Sequence, residues 1–336
     1  MTALKNYVED VTSLRSENYI PAADRIATFD MDGTFVGELY PTYFEYNLLE
    51  HRVLDDPNYK DIAPLDVIET AEQIRDFVRN GVKLPDHFDM KHAYAAAKAY
   101  AGMTIKEFDE YVKAYAAKPA NGFINMTYGE SFYQPMLEVF EYLEDNDFTI
   151  YVVSGSDRFI CRALVESIGI PANHVIGMDV VLKAADQDIE GVNYTYQVDD
   201  YLIRTDELII KNLKTNKVKQ IMQEIGQKPV LSFGNSSGDT SMHNFCLSNE
   251  KYQSMAFMLI ADDDARDHAN REKALGLKET WLTYGYQVIS MRDDFKTIYG
   301  ESVEKVDFSF DDELQNEQLA VFQPVYYFPN KKEIFA

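Results

Sequence analysis

The chain has 336 residues, 46% hydrophobic and 26% charged, an ordinary globular composition with room for two domains or one large one. Its 56 acids against 32 bases leave a net charge of −24, which repels polyanions and so excludes nucleic acid and anionic membrane as expected partners. The same field repels a free phosphate ester, so any phosphate site needs local cations and backbone donors. Aromatics are abundant, with 23 Tyr and 20 Phe. Cys161 and Cys246 fit no metal or redox spacing and read as two buried thiols. The first thirty residues hold no apolar signal core, and no run of about eighteen apolar residues occurs. The chain therefore reads as soluble and cytoplasmic, with an exported mature form left open, as is the oligomeric state.

In chain order, a weak helical period over Leu4 to Arg15 precedes Arg25-Ile-Ala-Thr-Phe-Asp30, a short apolar run that stops at acids and glycine. That pattern predicts a buried strand entering a loop. From about Tyr40 to Lys118 strand signals vanish, and Ala, Leu, Tyr and charges recur at helical spacing. Breaks at Asn80-Gly81 and Leu84-Pro85 divide this stretch into several short helices.

Alternating order then resumes: a helix near 135–144, the strand Thr149 to Ser154, a helix near 158–168 and a strand near Val175 to Met178. Residues 179–210 read as an antiparallel excursion, with Val180-Val-Leu182 and Tyr194-Thr-Tyr-Gln-Val198 as its strands. A helix over about 216–225 presents Val218, Ile221, Met222 and Ile225 on one face. The strands Pro229 to Phe233 and Ser254 to Ile260 follow. Repeated strand–helix–strand units predict an α/β fold with a parallel sheet covered on both faces.

In such sheets the site lies beyond the carboxyl ends of the strands. Three polar, glycine-containing loops fall there: Asp30-Met-Asp-Gly-Thr34, Ser154-Gly-Ser156 and Gly234-Asn-Ser-Ser-Gly-Asp239. Asp30 and Asp32 can converge on Mg²⁺, which prefers hard oxygen ligands, one by side chain and the other by its backbone carbonyl. Asp30 can then attack phosphorus, while Asp32 protonates the leaving oxygen. Gly33 lets the backbone approach the phosphate and Thr34 offers a hydroxyl. Ser154 and the Gly155 N–H suit phosphoryl oxygens. Lys217 opposes the dipole of its helix, so local stability does not ask for it, and it can neutralise the transferring group. Lys211, Lys214 and Lys219 compete for that role. Asn235 and Asp239 can face the cation. Taken singly, each of these features also reads as a turn, a helix cap or a surface lysine; in chain order they belong to one reaction.

These residues resemble the four motifs of the haloacid dehalogenase-like (HAD) hydrolase superfamily: Asp30-Met-Asp-Gly-Thr34, Ser154-Gly155, Lys217 and Gly234-Asn-Ser-Ser-Gly-Asp239. The resemblance covers roughly 22–36 and 130–295. It implies a Rossmann-like core over 1–36 and 125–336, with a helical cap over 37–124 as in phosphoserine phosphatase-like and phosphorylcholine phosphatase-like members. It also implies a Mg²⁺-dependent phosphomonoesterase acting on a small phosphate ester through an aspartyl-phosphate. Asp30 would be the nucleophile and Asp32 the acid/base, with Ser154 and Lys217 on the phosphoryl group. Asp30, the Asp32 carbonyl, Asn235 and Asp239 would hold Mg²⁺. A catalytically silent or phosphotransferase member of the same fold is the alternative. Two departures stand out: many members carry an acid where Asn235 stands, and the substrate-binding acid of phosphoserine phosphatases falls at Leu39, beside Glu38. Tyr40, Tyr43, Phe44 and Tyr46 are candidates for an aromatic cage around a cationic group.

Overall fold

The computed structural model describes residues 2–38 and 41–310. Seven strands form one sheet: β1 (Ile26–Phe29), β2 (Thr149–Asp157), β3 (Val175–Ala184), β4 (Leu202–Ile210), β5 (Leu231–Gly234), β6 (Met255–Ile260) and β7 (Gln287–Ser290). Their spatial order is β4-β3-β2-β1-β5-β6-β7. Neighbours run parallel except β3 and β4, which are antiparallel. The chain fills one side of β1 first and then returns to fill the other. This places the topological switch at β1, where an open α/β sheet leaves a crevice.

All four residues of β1 are buried, as expected of a central strand covered on both faces. In register across the sheet, Phe29 stacks on Phe233 at 4.2 Å between ring centroids, and Phe233 on Phe257 at 4.8 Å. Phe140 of α6 (Gln134–Glu144) closes on Phe29 edge-to-face at 4.6 Å. Adjacent residues of β2 serve opposite faces: Val152 joins the main core, while Val153 packs with Ile221 of α8 (Thr215–Glu224) and Met242 of α9 (Thr240–Leu247). Both thiols are buried and free.

Helix α1 (Thr2–Thr12) precedes β1 and α7 (Arg158–Val165) follows β2. Between β1 and α6 the chain is mainly helical, with α2 (Phe44–Glu50), α3 (Leu65–Asn80), α4 (Phe88–Ala99) and α5 (Ile105–Ala116), and ends in a short strand, Phe123–Ile124, paired antiparallel with Glu304–Lys305. Gly81 ends α3 in the left-handed conformation, φ 67°, where a side chain would be strained. A capping box between Thr104 and Glu107 starts α5. No described helix is long and apolar enough to cross a membrane.

The excursion departs from the expected pairing. β3 runs on through Val180-Val-Leu182, and its antiparallel partner is β4, not Tyr194 to Val198. Those residues lie in irregular chain, with Val198 fully exposed and the Tyr194 and Tyr196 hydroxyls donating to Asp200. Leu202–Ile210 instead takes the edge of β3, and Tyr194 to Val198 pair with no strand. On α8 the buried residues are Lys217, Gln220 and Ile221, whereas Met222 is exposed. Lys217 is turned inward to the crevice, while Ile221 packs with Val153 and Met242.

Candidate active site

The first loop is shaped by one carbonyl. Asp30 is still in the sheet, its N–H donating to Phe233 O at 2.9 Å. The Met31 carbonyl then accepts from the amides of Thr34, Phe35 and Val36, folding the chain sharply back. Gly33 makes this possible at φ +77°. A Cβ there would sit 2.0 Å from Asn235 Nδ2 and 2.6 Å from Glu38 Cδ, so the turn presses two side chains together across it.

Lys217 is 1% exposed and reaches the crevice from the first turn of α8. Its Nζ donates to Asp30 Oδ1 at 2.5 Å and to Asp239 Oδ1 at 2.7 Å. The other Asp239 oxygen accepts from the N–H groups of Asn235 and Ser236, both at 3.1 Å, and from Ser236 Oγ at 3.3 Å. Burial disfavours both charges, yet Lys217 and these donors hold the Asp239 carboxyl below its usual range, and the two aspartates raise the Lys217 ammonium. Asp30 goes the other way. Burial first, then the charge of Asp239, push it up to about 7. Gly234 is needed beneath this cluster: a Cβ there would meet Asp239 Cβ at 2.6 Å.

Asp32 faces β2. Its Oδ2 accepts from Ser156 Oγ at 2.8 Å and more distantly from Ser154 Oγ at 3.5 Å. Burial raises Asp32 to about 6 against the opposing Ser156 bond, with Glu45 adding to the rise. Ser154 was expected at the end of its strand, but β2 continues to Asp157, and a register shift between Val153 and Asp157 turns the tripeptide. Ser154 is consequently fully buried: its hydroxyl accepts from Ser156 N at 3.0 Å, and its carbonyl accepts from Asn212 Nδ2 at 2.9 Å. Gly155 and Ser156 line the cleft in its place. Thr34 is also fully buried, away from the cleft lining, and its hydroxyl finds no partner among the described residues.

The opposite wall comes from α2 and the chain after β4. Lys211 Nζ donates to Glu45 Oε1 at 2.7 Å, and Glu45 Oε2 accepts from Asp157 N at 3.3 Å. His92 lies 3.7 Å from Glu45 but is driven down to about 4 by burial, so it faces Glu45 neutral at pH 7. Of the four lysines weighed for the cleft, Lys211 and Lys217 enter it with different partners, whereas Lys214 and Lys219 are exposed. The cleft holds about 160 Å³ and is also lined by Glu38, Tyr43, Tyr46 and Asp89. Tyr43 and Tyr46 meet edge-to-face at 5.4 Å. Phe44 instead packs in the core against Tyr115. Tyr40 and Leu39 lie outside the described residues.

Asp30, Asp32, Gly155, Lys217, Asn235 and Asp239 thus meet at one cleft although they span two hundred residues of sequence. Glu38, Glu45 and Ser156 join them without having been singled out as site residues. Their signals were slight, namely an acid just past the first motif, an acid on an apolar helix and a second serine after Gly155. Among the described residues no three His, Cys, Asp or Glu side chains form a preassembled metal cage. The side-chain oxygen donors lining this part of the cleft are those of Asp30, Glu38, Asn235 and Asp239.

A mostly parallel sheet whose central strand delivers two carboxylates to its carboxyl edge, opposite a buried lysine, defines an α/β protein of the Rossmann-like type with a polar site at its switch point. The chain belongs to the haloacid dehalogenase-like hydrolase family, whose profile matches residues 27–243, from β1 through α9. Among solved structures it is similar to a functionally unknown protein from Anaerococcus prevotii DSM 20548, at 14% identity and TM-score 0.50, covering 86% of this chain and 92% of that one. It is also similar to a phosphoserine phosphohydrolase-like protein from Francisella tularensis subsp. tularensis SCHU S4, at 14% identity and TM-score 0.42, covering 79% and 94%. At such identities the likeness is one of fold. No curated protein matches the sequence.

Proposed function

We propose that this chain is a Mg²⁺-dependent phosphomonoesterase for a small phosphorylated metabolite, working through phosphorylated Asp30. The observation that carries this reading is the bridging of Asp30 and Asp239 by Lys217 while Asp32, two residues on, is held separately by Ser156 over the same cleft. One carboxylate is thereby paired with a buried cation, which Mg²⁺ would help to keep ionised, and the other accepts only hydroxyl donors beside the same cleft, free to exchange a proton with the reacting group. That division suits a nucleophile and an acid/base.

An Asp30 oxygen forms the new bond to phosphorus as the bond to the leaving oxygen breaks, and Asp32 donates its proton to that oxygen. Water then attacks the phosphorylated Asp30, giving its proton to the Asp32 carboxylate, and phosphate departs with Asp30 restored. Lys217 would meet the phosphoryl oxygens with charge and the Gly155 N–H as a donor, while Ser156 keeps its bond to Asp32. The donor set fits a hard cation, being all oxygen and short of positive charge once Lys217 is shared. Mg²⁺, when bound, would neutralise phosphoryl charge and keep Asp30 ionised. Helices α2–α5 would form the cap, with α2 supplying Glu45 and Tyr46 to the substrate side. Tyr43, Tyr46 and Asp89 suit a leaving group that carries a cation, so a substrate panel should include phosphocholine and phosphoethanolamine.

The direct test is hydrolysis of p-nitrophenyl phosphate with Mg²⁺ and then with EDTA; activity that survives chelation contradicts the reading. Asp32→Asn gives a sharper one. Asp32 also serves the shared second step, so the comparison is made on kcat/KM, which reports transfer to Asp30 alone: an alkyl leaving group needs the proton, and its kcat/KM should fall about 10²- to 10⁴-fold. The p-nitrophenolate leaves unaided, and its loss should be much smaller. Equal losses on the two esters would remove Asp32 from the acid role.

The raised Asp30 value fixes a pH dependence. A carboxyl raised on folding favours the folded state below its ordinary 3.8 and loses that contribution as pH rises through about 7. Metal-free protein should therefore lose stability over that window. Mg²⁺ competes with the proton, so the Tm increase it brings should grow between about pH 5.5 and 7.5. Thermal melts with and without Mg²⁺ at the two pH values check this, and an increment that shrinks with pH would contradict it.

A further inference from the structure

We infer that Glu38 is the second carboxylate of the Mg²⁺ site, supplying the negative charge that the neutral Asn235 cannot. The inference rests on the phosphatase reading above, and it comes from counting what each oxygen already does.

Asp239 is fully engaged inside the protein. Its Oδ1 accepts from Lys217, and its Oδ2 accepts from Asn235 N, Ser236 N and Ser236 Oγ. A carboxylate so surrounded has little left to offer a cation, and its charge is already matched by Lys217. Asp30 gives only Oδ1 to that lysine. The Asp30–Lys217–Asp239 group therefore carries one uncompensated negative charge, and a divalent ion calls for a second.

Asn235 can add an oxygen but no charge. Its Nδ2 donates to Glu38 Oε1 at 3.0 Å, which turns its own carbonyl oxygen the other way. Glu38 lines the same cleft as Asp30 and Asp239, and among the described residues Asn235 is its one hydrogen-bond partner. Its place is fixed by the fold, since the turn at Gly33 leaves no room for a Cβ between Glu38 and Asn235. With Asp30 and Glu38 both ionised, two charges meet a doubly charged ion, and Asn235 joins them as a neutral oxygen oriented by its bond to Glu38.

The test is calorimetric titration with Mg²⁺ alone, without substrate, on wild type, Glu38→Gln, Asn235→Asp and the double variant. Glu38→Gln should weaken Mg²⁺ binding at least tenfold. Asn235→Asp combined with Glu38→Gln should recover most of that loss, because the charge returns one side chain away. Melting of the metal-free proteins confirms that each variant is folded. A Glu38→Gln protein that binds Mg²⁺ as wild type does overturns the inference, whatever its activity, and assigns Glu38 to the substrate instead. A double variant no tighter than Glu38→Gln overturns it as well. If wild type itself neither binds Mg²⁺ nor needs it to hydrolyse p-nitrophenyl phosphate, the phosphatase reading falls first and takes this inference with it.

Discussion

Asp30→Asn should reduce phosphatase turnover by a factor of about 10⁴ or more, because an amide cannot form the acyl-phosphate bond on which both half-reactions depend. The substitution is nearly isosteric and keeps an acceptor for Lys217, so it isolates the chemistry from the fold. Stability should hold or rise, since a buried carboxyl with a raised pKa is replaced by a neutral group. A structural role for Asp30 predicts the reverse pattern, with a melting temperature that drops and a rate that is only dented. Acid-quenched wild type incubated with substrate should carry one phosphoryl group on the peptide containing Asp30, and the variant should carry none. Variant activity above about one hundredth of wild type would rule out Asp30 as the nucleophile.

Lys217→Met should be the most destabilising single change at the site. The lysine is almost wholly buried and is the ion-pair partner of two buried aspartates. Removing one member of such a group leaves charge uncompensated, which costs about 3–5 kcal/mol. For a chain of this size that corresponds to a fall in Tm of about 4–7 °C. The sign with pH is specific. Without the lysine both aspartates can shed their charge by taking protons, so the deficit should be smaller at about pH 5 than at pH 8. Activity should fall by at least about 10²-fold through the lost compensation of phosphoryl charge. A variant as stable as wild type at pH 8 would show that the Lys217 contacts are incidental.

How much of this could be read beforehand depended on whether a residue's place was decided locally. The buried strands and the acids that end them were legible, because an apolar run stopping at Asp30 or Gly234 carries its meaning within six residues. Lys217 was legible for an electrostatic reason: an ammonium in the first turn of a helix is unfavourable unless something else requires it. Glu38 was not, since only the turn at Gly33 and a partner 197 residues away bring it into the cleft. Ser156 replaced Ser154 at the wall because a shift in strand pairing, invisible in sequence, turned the tripeptide. The partner of β3 was misplaced for a related reason. β4 is an edge strand with several exposed positions, and Tyr194 to Val198 carries the stronger alternation but meets no neighbour. Strand β7 and helix α10 (Arg271–Thr283) drew no expectation at all.

The row of stacked rings under the crevice bears on how this protein tolerates change. Phe29 and Phe233 stand immediately before Asp30 and Gly234, so the two loops that carry the chemistry are anchored to one rigid aromatic stack. Trimming either ring to leucine opens space directly beneath the nucleophile, where a displacement of an ångström is already expensive in rate. Libraries that randomise the interior while sparing every polar group of the crevice should therefore lose turnover at these two positions well before they lose folded protein.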